Sequence, residues 1–228
     1  MTRWKSWSVA LLIAVLAGVC LAQDKPAKPP KGAIVLFNGK DLSAWVSRDG
    51  KTPARWEITS DGAMQVKAGT GDIMTREEFG SFQLHIEFNI PEMPGASGQG
   101  RGNSGVYLHG LYEIQVLDSY QNETYAKGGC GAIYGIKDPD KNAAKPPGQW
   151  QTYDITFIAP KFDANGNVIA NPRVTVRWNG VLVHDNVEIP RITAGGIDNK
   201  MRRTGPILLQ DHGNPVKYRN IWIRPMKD

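Results

Sequence analysis

Phe82-Gln83-Leu84-His85-Ile86-Glu87-Phe88-Asn89-Ile90 alternates without a break. Phe82, Leu84, Ile86, Phe88 and Ile90 fall on one face, and Gln83, His85, Glu87 and Asn89 on the other. That period of two is the mark of an extended strand with one buried face. The pattern returns at Arg173-Val174-Thr175-Val176-Arg177-Trp178, stops at Asn179-Gly180 and resumes at Val181-Leu182-Val183. The favoured two-residue hairpin turn needs positive φ at both positions, so Asn-Gly between alternating runs predicts a hairpin. Further strands are expected at 34–37, 55–59, 63–67, 105–109, 112–117, 152–159, 206–210 and 216–224, and no stretch has helical periodicity. About a dozen strands in one chain fit two stacked antiparallel sheets, an all-β jelly-roll sandwich.

Composition agrees. The chain has 25 Gly and 15 Pro in 228 residues, which suits many turns, and 41% hydrophobic residues, too many for a disordered polymer. Arg3 and Lys5 precede an apolar run from Val9 to Leu21 that ends in Ala22, the form of a secretory leader and too short to cross a bilayer comfortably. The expected organisation is a leader over 1–22, a Pro/Lys-rich linker over 23–31 and a single domain over 32–228, exported to a periplasm or secreted. Loss of the leader lowers the formal charge from +5 to +3. The basic residues are scattered, so neither nucleic acid nor, after cleavage, a membrane is an expected partner. Cys20 falls in the leader, behind a branched Val19 that disfavours lipid attachment. Cys130 then stands alone, without a disulfide. Oligomeric state is not legible.

The chemistry concentrates in Asn103-Ser104-Gly105-Val106-Tyr107-Leu108-His109-Gly110-Leu111-Tyr112-Glu113-Ile114-Gln115-Val116-Leu117-Asp118, behind a Gly-rich loop at 91–103. Alternation places Tyr107 and His109 on one face of the first strand. Glu113 and Gln115 share a face of the second, opposite Tyr112, Ile114 and Val116. A β-bulge near Val116-Leu117 would return Asp118 to the Glu113 face. Paired carboxylates are what glycoside chemistry asks for. The spacing E-x-Q-x-x-D resembles the bulged E-x-D-x-x-E strand of concanavalin-like glucanases, with Gln in place of the middle acid and Asp in place of the last.

A wider resemblance runs in order from about 33 to 225. Leu36-Phe37-Asn38-Gly39-Lys40-Asp41-Leu42-Ser43-Ala44-Trp45, Asn103-Ser104-Gly105, Tyr112 to Asp118, Ala132-Ile133-Tyr134, Gln149-Trp150, Leu209-Gln210-Asp211-His212-Gly213 and Tyr218-Arg219-Asn220-Ile221 resemble successive blocks of the 3-keto-disaccharide hydrolase domain family. The family pattern has Asn where this chain has Gln151, and often places Arg near His109. The resemblance implies a concanavalin A-like sandwich, secretion, and cleavage of glycosides whose C3 hydroxyl has become a ketone. The ketone acidifies the C2 proton, so a base can remove it, the C1 substituent departs by elimination, and water adds to the enone. On this reading Glu113 is the base, His109 or His212 stabilises the enolate oxygen, and Asp118 is the acid.

Substrate contacts are expected from Glu87, Asn103, Tyr107, Gln115, Tyr134, Lys137, Trp150, Gln210 and His212. Trp150 follows the Pro-Gly loop 145–148 and is the tryptophan placed to edge a cleft; Trp45, Trp56 and Trp222 read as packing, and His85 as solvated. Asp211 is expected to fix its loop. There is no His-x-His, Cys pair or His-Glu-x-x-His, so no metal ligand is assigned, and no organic cofactor is called for. A structural calcium at Asp72, Asp163 or Asp198, or a catalytic divalent ion at Glu87, Glu113 and His109, stays open. Two rivals also stay open: a conventional concanavalin-like endo-glycosidase, and a carbohydrate-binding module without catalysis.

Overall fold

The structure, a computed structural model, describes residues 28–227. The leader, Cys20 and the first part of the linker lie outside the described residues. Fifteen strands follow in order: β1 (Ile34–Phe37), β2 (Trp45–Ser47), β3 (Glu57–Ile58), β4 (Met64–Gln65), β5 (Ile73–Thr75), β6 (Phe82–Asn89), β7 (Ser104–Leu108), β8 (Tyr112–Val116), β9 (Trp150–Ile158), β10 (Lys161–Phe162), β11 (Val168–Ala170), β12 (Arg173–Trp178), β13 (Val181–Glu188), β14 (Leu208–Leu209) and β15 (Lys217–Pro225). Between β6 and β7 lies one 3₁₀ turn, Gly98–Gly100. The short β2, β5, β10 and β11 are strands that alternation did not mark.

Two antiparallel sheets form the sandwich. The larger runs β13-β12-β9-β6-β15-β4-β3, with β1 also paired to β15; the smaller runs β2-β5-β14-β7-β8. This is the concanavalin-like jelly roll expected from the sequence. The core lies between the sheets. Phe82, Leu84, Ile86 and Phe88 point into it from β6, and meet Val106 and Leu108 from β7 and Tyr112, Ile114 and Val116 from β8. Burying each large apolar side chain contributes about 1.5–3 kcal/mol, so this shared layer sets the register of every strand that enters it. The Asn179-Gly180 turn has φ of 51° and 79° and joins Trp178 directly to its partner Val181, the hairpin the sequence announces.

The last strand holds the large sheet together. β15 pairs with β6 over Phe82 to Asn89 and also with β4 and β1, so it lies inside the sheet although it comes last in the chain. β10 and β11 make a separate two-stranded ribbon beside the sandwich.

The outer face of the small sheet is unusual. Every residue of β7 and β8 is buried, on both faces, because loops cover the side away from the core. Those loops come from residues 98–103, 125–137, 193–197 and 210–214. They turn a flat sheet face into a pocket.

Candidate active site

The pocket is small, about 120 Å³, and lies over β7, β8 and β14. Its floor follows from the pleat. Tyr107 pairs with Glu113 and Gly105 with Gln115 across the β7–β8 ladder, so their side chains leave the sheet on the face opposite Val106 and Ile114. Gly105 has a specific task here. A Cβ at that position would sit 2.4 Å from Glu113 Oε1, so only glycine leaves room for the carboxyl.

Glu113 is the centre of the site. It is 3% exposed. The Tyr107 hydroxyl donates to Oε2 at 2.9 Å, with the Ala194 carbonyl 3.0 Å from the same hydroxyl. The Thr193 hydroxyl accepts from the Glu113 backbone N–H at 2.9 Å and locks the strand there. Burial pushes the carboxyl pKa up; the Tyr107 hydrogen bond opposes this and the negative charge of Asp72 adds to it, leaving a value of about 8. Tyr107 is itself held well above the ordinary phenol range, by burial and by Glu113.

Three amide side chains line the pocket with their carbonyl oxygens unsatisfied. Asn103 Oδ1, Gln115 Oε1 and Gln210 Oε1 are buried and accept no hydrogen bond. Their orientation is fixed by the nitrogen ends. Asn103 Nδ2 donates to the Gln99 backbone carbonyl at 2.9 Å, and Gln115 Nε2 to Gln99 Oε1 and the Gly128 carbonyl at 3.2 and 3.3 Å. Gln99 Nε2 donates to the same Gly128 carbonyl at 2.8 Å, and Gln210 Nε2 to the Tyr107 oxygen at 3.2 Å. Backbone carbonyls accept only, so the nitrogens are committed to the protein and the oxygens are left for a ligand. An unpaired buried carbonyl is destabilising by roughly 1–3 kcal/mol, and a ligand rich in O–H donors would relieve three of them together.

The rim carries Tyr134 and His212. Tyr134 sits beside Glu113 because its backbone N–H donates to the Glu113 carbonyl at 3.1 Å. A hydrogen bond with the Tyr125 hydroxyl, then burial, raises the Tyr134 pKa to about 12. His212 is exposed. Asp211 holds that loop by accepting from the Gly71 and Gly213 N–H groups, as expected.

Six of the expected site residues therefore converge with Glu113: Asn103, Tyr107, Gln115, Tyr134, Gln210 and His212. Five do not. His109 ends the strand in a turn at φ 55°, which swings the ring into the core against Phe82 and Phe157. Its Nε2 lies 3.0 Å from the Gly80 carbonyl and burial lowers its pKa, so it is a neutral core imidazole. Asp118 lies beyond the end of β8, whose ladder with β7 carries no bulge. Its Oδ2 is 2.6 Å from Arg101 Nε and its Oδ1 accepts from the Tyr120 N–H, outside the pocket. Lys137 is ion-paired with Asp140.

Glu87 and Trp150 lie on the outer face of the other sheet. There Glu87 bonds Arg219 at 2.6 Å and Asn220 at 2.8 Å, and Arg219 stacks over Trp150 with its Cζ 4.0 Å from the ring centre. His85 is buried in this cluster rather than solvated, 2.7 Å from Asp154 and stacked on Trp222. Glu87, Glu113 and His109, the trio considered for a divalent ion, thus occupy three different places. The calcium candidates are likewise apart: Asp72 pairs with Arg48, Asp163 closes a turn on Asn167, and Asp198 pairs with Arg202. Among the described residues no three His, Cys, Asp or Glu side chains come together to hold a metal ion.

Sequence reasoning missed Gln99, Thr193, Ala194 and Gly195. All come from segments without alternation. Gly195 carried the one available signal: at φ 81° it faces the Tyr107 hydroxyl so closely that a Cβ would lie 2.4 Å away.

Residues 32–224 match the family model of the 3-keto-alpha-glucoside-1,2-lyase-like domain. The chain belongs to this family. A Parabacteroides distasonis protein, provisionally described as a glycosyl hydrolase, superposes with a TM-score of 0.80 at 44% identity, over 86% of this chain and 85% of that one. A second protein of that organism, described in the same terms, shares the fold with a TM-score of 0.64 at 21% identity, over 86% and 95% of the two chains. The 3-keto-disaccharide hydrolase of Bacteroides thetaiotaomicron is 24% identical, over 85% of this chain and 78% of its own. This chain is thus similar to proteins named for glycoside cleavage.

Proposed function

We propose that the protein cleaves glycosides bearing a ketone at C3, with Glu113 taking the C2 proton. One observation carries this reading: a buried carboxyl with a pKa of about 8 opens on a pocket ringed by three unsatisfied amide oxygens. Such a ring of acceptors fits a polyol, and a base of that strength fits a carbon acid better than a water molecule. The family description and the name of the Bacteroides relative support the same substrate class.

In the proposed sequence the Glu113 carboxylate removes the proton from C2, and the electron pair of that C–H bond forms an enolate with C3. His212, the histidine at the rim, donates a hydrogen bond to the enolate oxygen. The enolate collapses, C1–C2 becomes a double bond, and the glycosidic oxygen leaves with the proton now on Glu113. Water then adds to C1 of the enone and C2 is reprotonated, giving the free 3-keto sugar. One carboxyl serves as base and then acid, which a pKa near neutrality allows. Asp118 is not needed.

A conventional endo-glycosidase is disfavoured by the same geometry. It requires two carboxyls facing each other across the bond, and among the described residues Glu113 is the pocket's single carboxyl. The leader read in residues 1–22 supports a site of action outside the cytoplasm.

The test is to incubate wild-type protein with a glycoside and with its 3-keto derivative. Cleavage of the keto form alone is expected, with a loss of about 10²–10⁴-fold in kcat for Glu113→Gln. Cleavage of the unmodified glycoside would favour the endo-glycosidase, saturable binding without turnover a carbohydrate-binding module, and full activity of a folded Glu113→Gln protein would remove Glu113 from the mechanism.

A further inference from the structure

Against Tyr134, a residue that lines the pocket, stands an aromatic side chain outside the proposed mechanism. Tyr125 is 53% exposed, yet it is held at both ends. Its hydroxyl bonds that of Tyr134, a pocket-lining residue, and the two rings meet edge to face with centres 6.4 Å apart. Its ring edge lies against Gly128, where a Cβ would be 2.3 Å from Cε2, so the backbone itself backs the ring. The turn closes with the Gly128 N–H donating to the Tyr125 carbonyl at 3.2 Å. Gly128 also supplies the carbonyl that orients Gln99 and Gln115 in the pocket floor. A single turn therefore sets both the floor and an exposed aromatic wall beside it.

A solvent-facing tyrosine normally needs no explanation. Fixing one against a glycine and a second tyrosine does, because it forgoes the rotational freedom that exposure would give. The pocket volume supplies the reason. The empty space over the floor, open mouth included, is about 350 Å³, room for about one pyranose ring. The group on the other side of the glycosidic bond must then lie outside, over the rim.

We propose that Tyr125 is the platform for the leaving group, stacking its ring face on the apolar face of a pyranose or an aryl aglycone. Tyr125 is a specificity-determining residue, and Tyr134 holds it in place. The protein accordingly discriminates among 3-keto glycosides by what is attached at C1 and favours ring-bearing leaving groups over small alkyl ones. This inference rests on the proposed function for its substrate class and adds which part of the substrate is selected.

The experiment compares Tyr125→Ala, Tyr125→Phe and wild type on three substrates with the same 3-keto sugar: a disaccharide, an aryl glycoside and the methyl glycoside. Tyr125→Ala should lower kcat/KM about three- to tenfold on the first two and leave the methyl glycoside within about twofold. Tyr125→Phe keeps the ring and should keep the preference. An equal loss on all three substrates, or no loss on the ring-bearing pair, overturns the platform. If wild type turns over none of them, the proposed function fails instead. Calorimetric affinities of the disaccharide and methyl ligands then decide the platform alone: it stands if Tyr125→Ala erases a preference for the disaccharide, and falls if there is no preference to erase.

Discussion

At the scale of the residue, the site is one carboxyl made basic by burial. Glu113 is raised from 4.5 to about 8, so between those values the folded protein binds a proton that the unfolded chain releases. Its contribution to stability is full below the lower value and is lost as pH rises through the upper one. Catalysis runs the other way, since the base must be ionised. We expect kcat/KM to climb through about pH 8 while the melting temperature of wild type declines against that of Glu113→Gln over the same range. A pH–rate profile beside a melting series checks both limbs. How far the site could be read from the sequence also turns on single residues. Glu113, Gln115 and Tyr107 were legible because strict alternation carries side-chain direction. His109 was not: alternation assumes the strand continues, whereas a positive φ ends it there and sends the ring to the core. Asp118 was not, because a bulge was invoked where the chain leaves the ladder and Arg101 captures the carboxylate.

At the scale of the element, β7 and β8 act as one device. Their pairing sets Gly105 and Tyr107 opposite Gln115 and Glu113, and the missing side chain at 105 is the space the Glu113 carboxyl occupies. Gly105→Ala should therefore cut kcat by at least about tenfold, because a displacement of about an ångström at a catalytic group has that effect. Ladder pairing does not depend on the Cβ, so far-UV circular dichroism should be unchanged; unaltered turnover in the variant would refute the account. The sequence showed these two strands and the direction of their side chains. It did not show which sheet each polar row belongs to, since β6 alternates just as cleanly and presents Glu87 and His85 on the far side of the molecule. Period two gives a face, and only the strand order says what that face looks at.

At the scale of the whole molecule, the two outer faces have divided their tasks. The small sheet's face carries unsatisfied acceptors; the large sheet's face carries a closed network of His85, Glu87, Asp154, Arg219 and Asn220. Burial alone would raise the Glu87 pKa, but His85, Asn220 and Arg219 outweigh it and hold the group near 2. Burial would lower His85, yet Asp154 and Glu87 lift it to about 9. Glu87 thus stabilises above its unfolded value of 4.5 and the gain is lost as pH falls through 2, while the His85 gain is lost as pH rises through 9. Glu87→Gln should lower the melting temperature at pH 6 by several degrees and much less at pH 2, with turnover of substrate unaffected. Differential scanning calorimetry across that range, with an activity assay, measures it. The placement of β15 has a consequence for the order of folding. β6 and β4 precede it in the chain and meet on either side of it, so until β15 is made the large sheet has a gap at its middle and β6 keeps a bare edge. The domain cannot close progressively during synthesis. The ladder β13-β12-β9-β6 can form first, but its β6 edge stays bare until β15 docks beside it and joins it to β4, one late step.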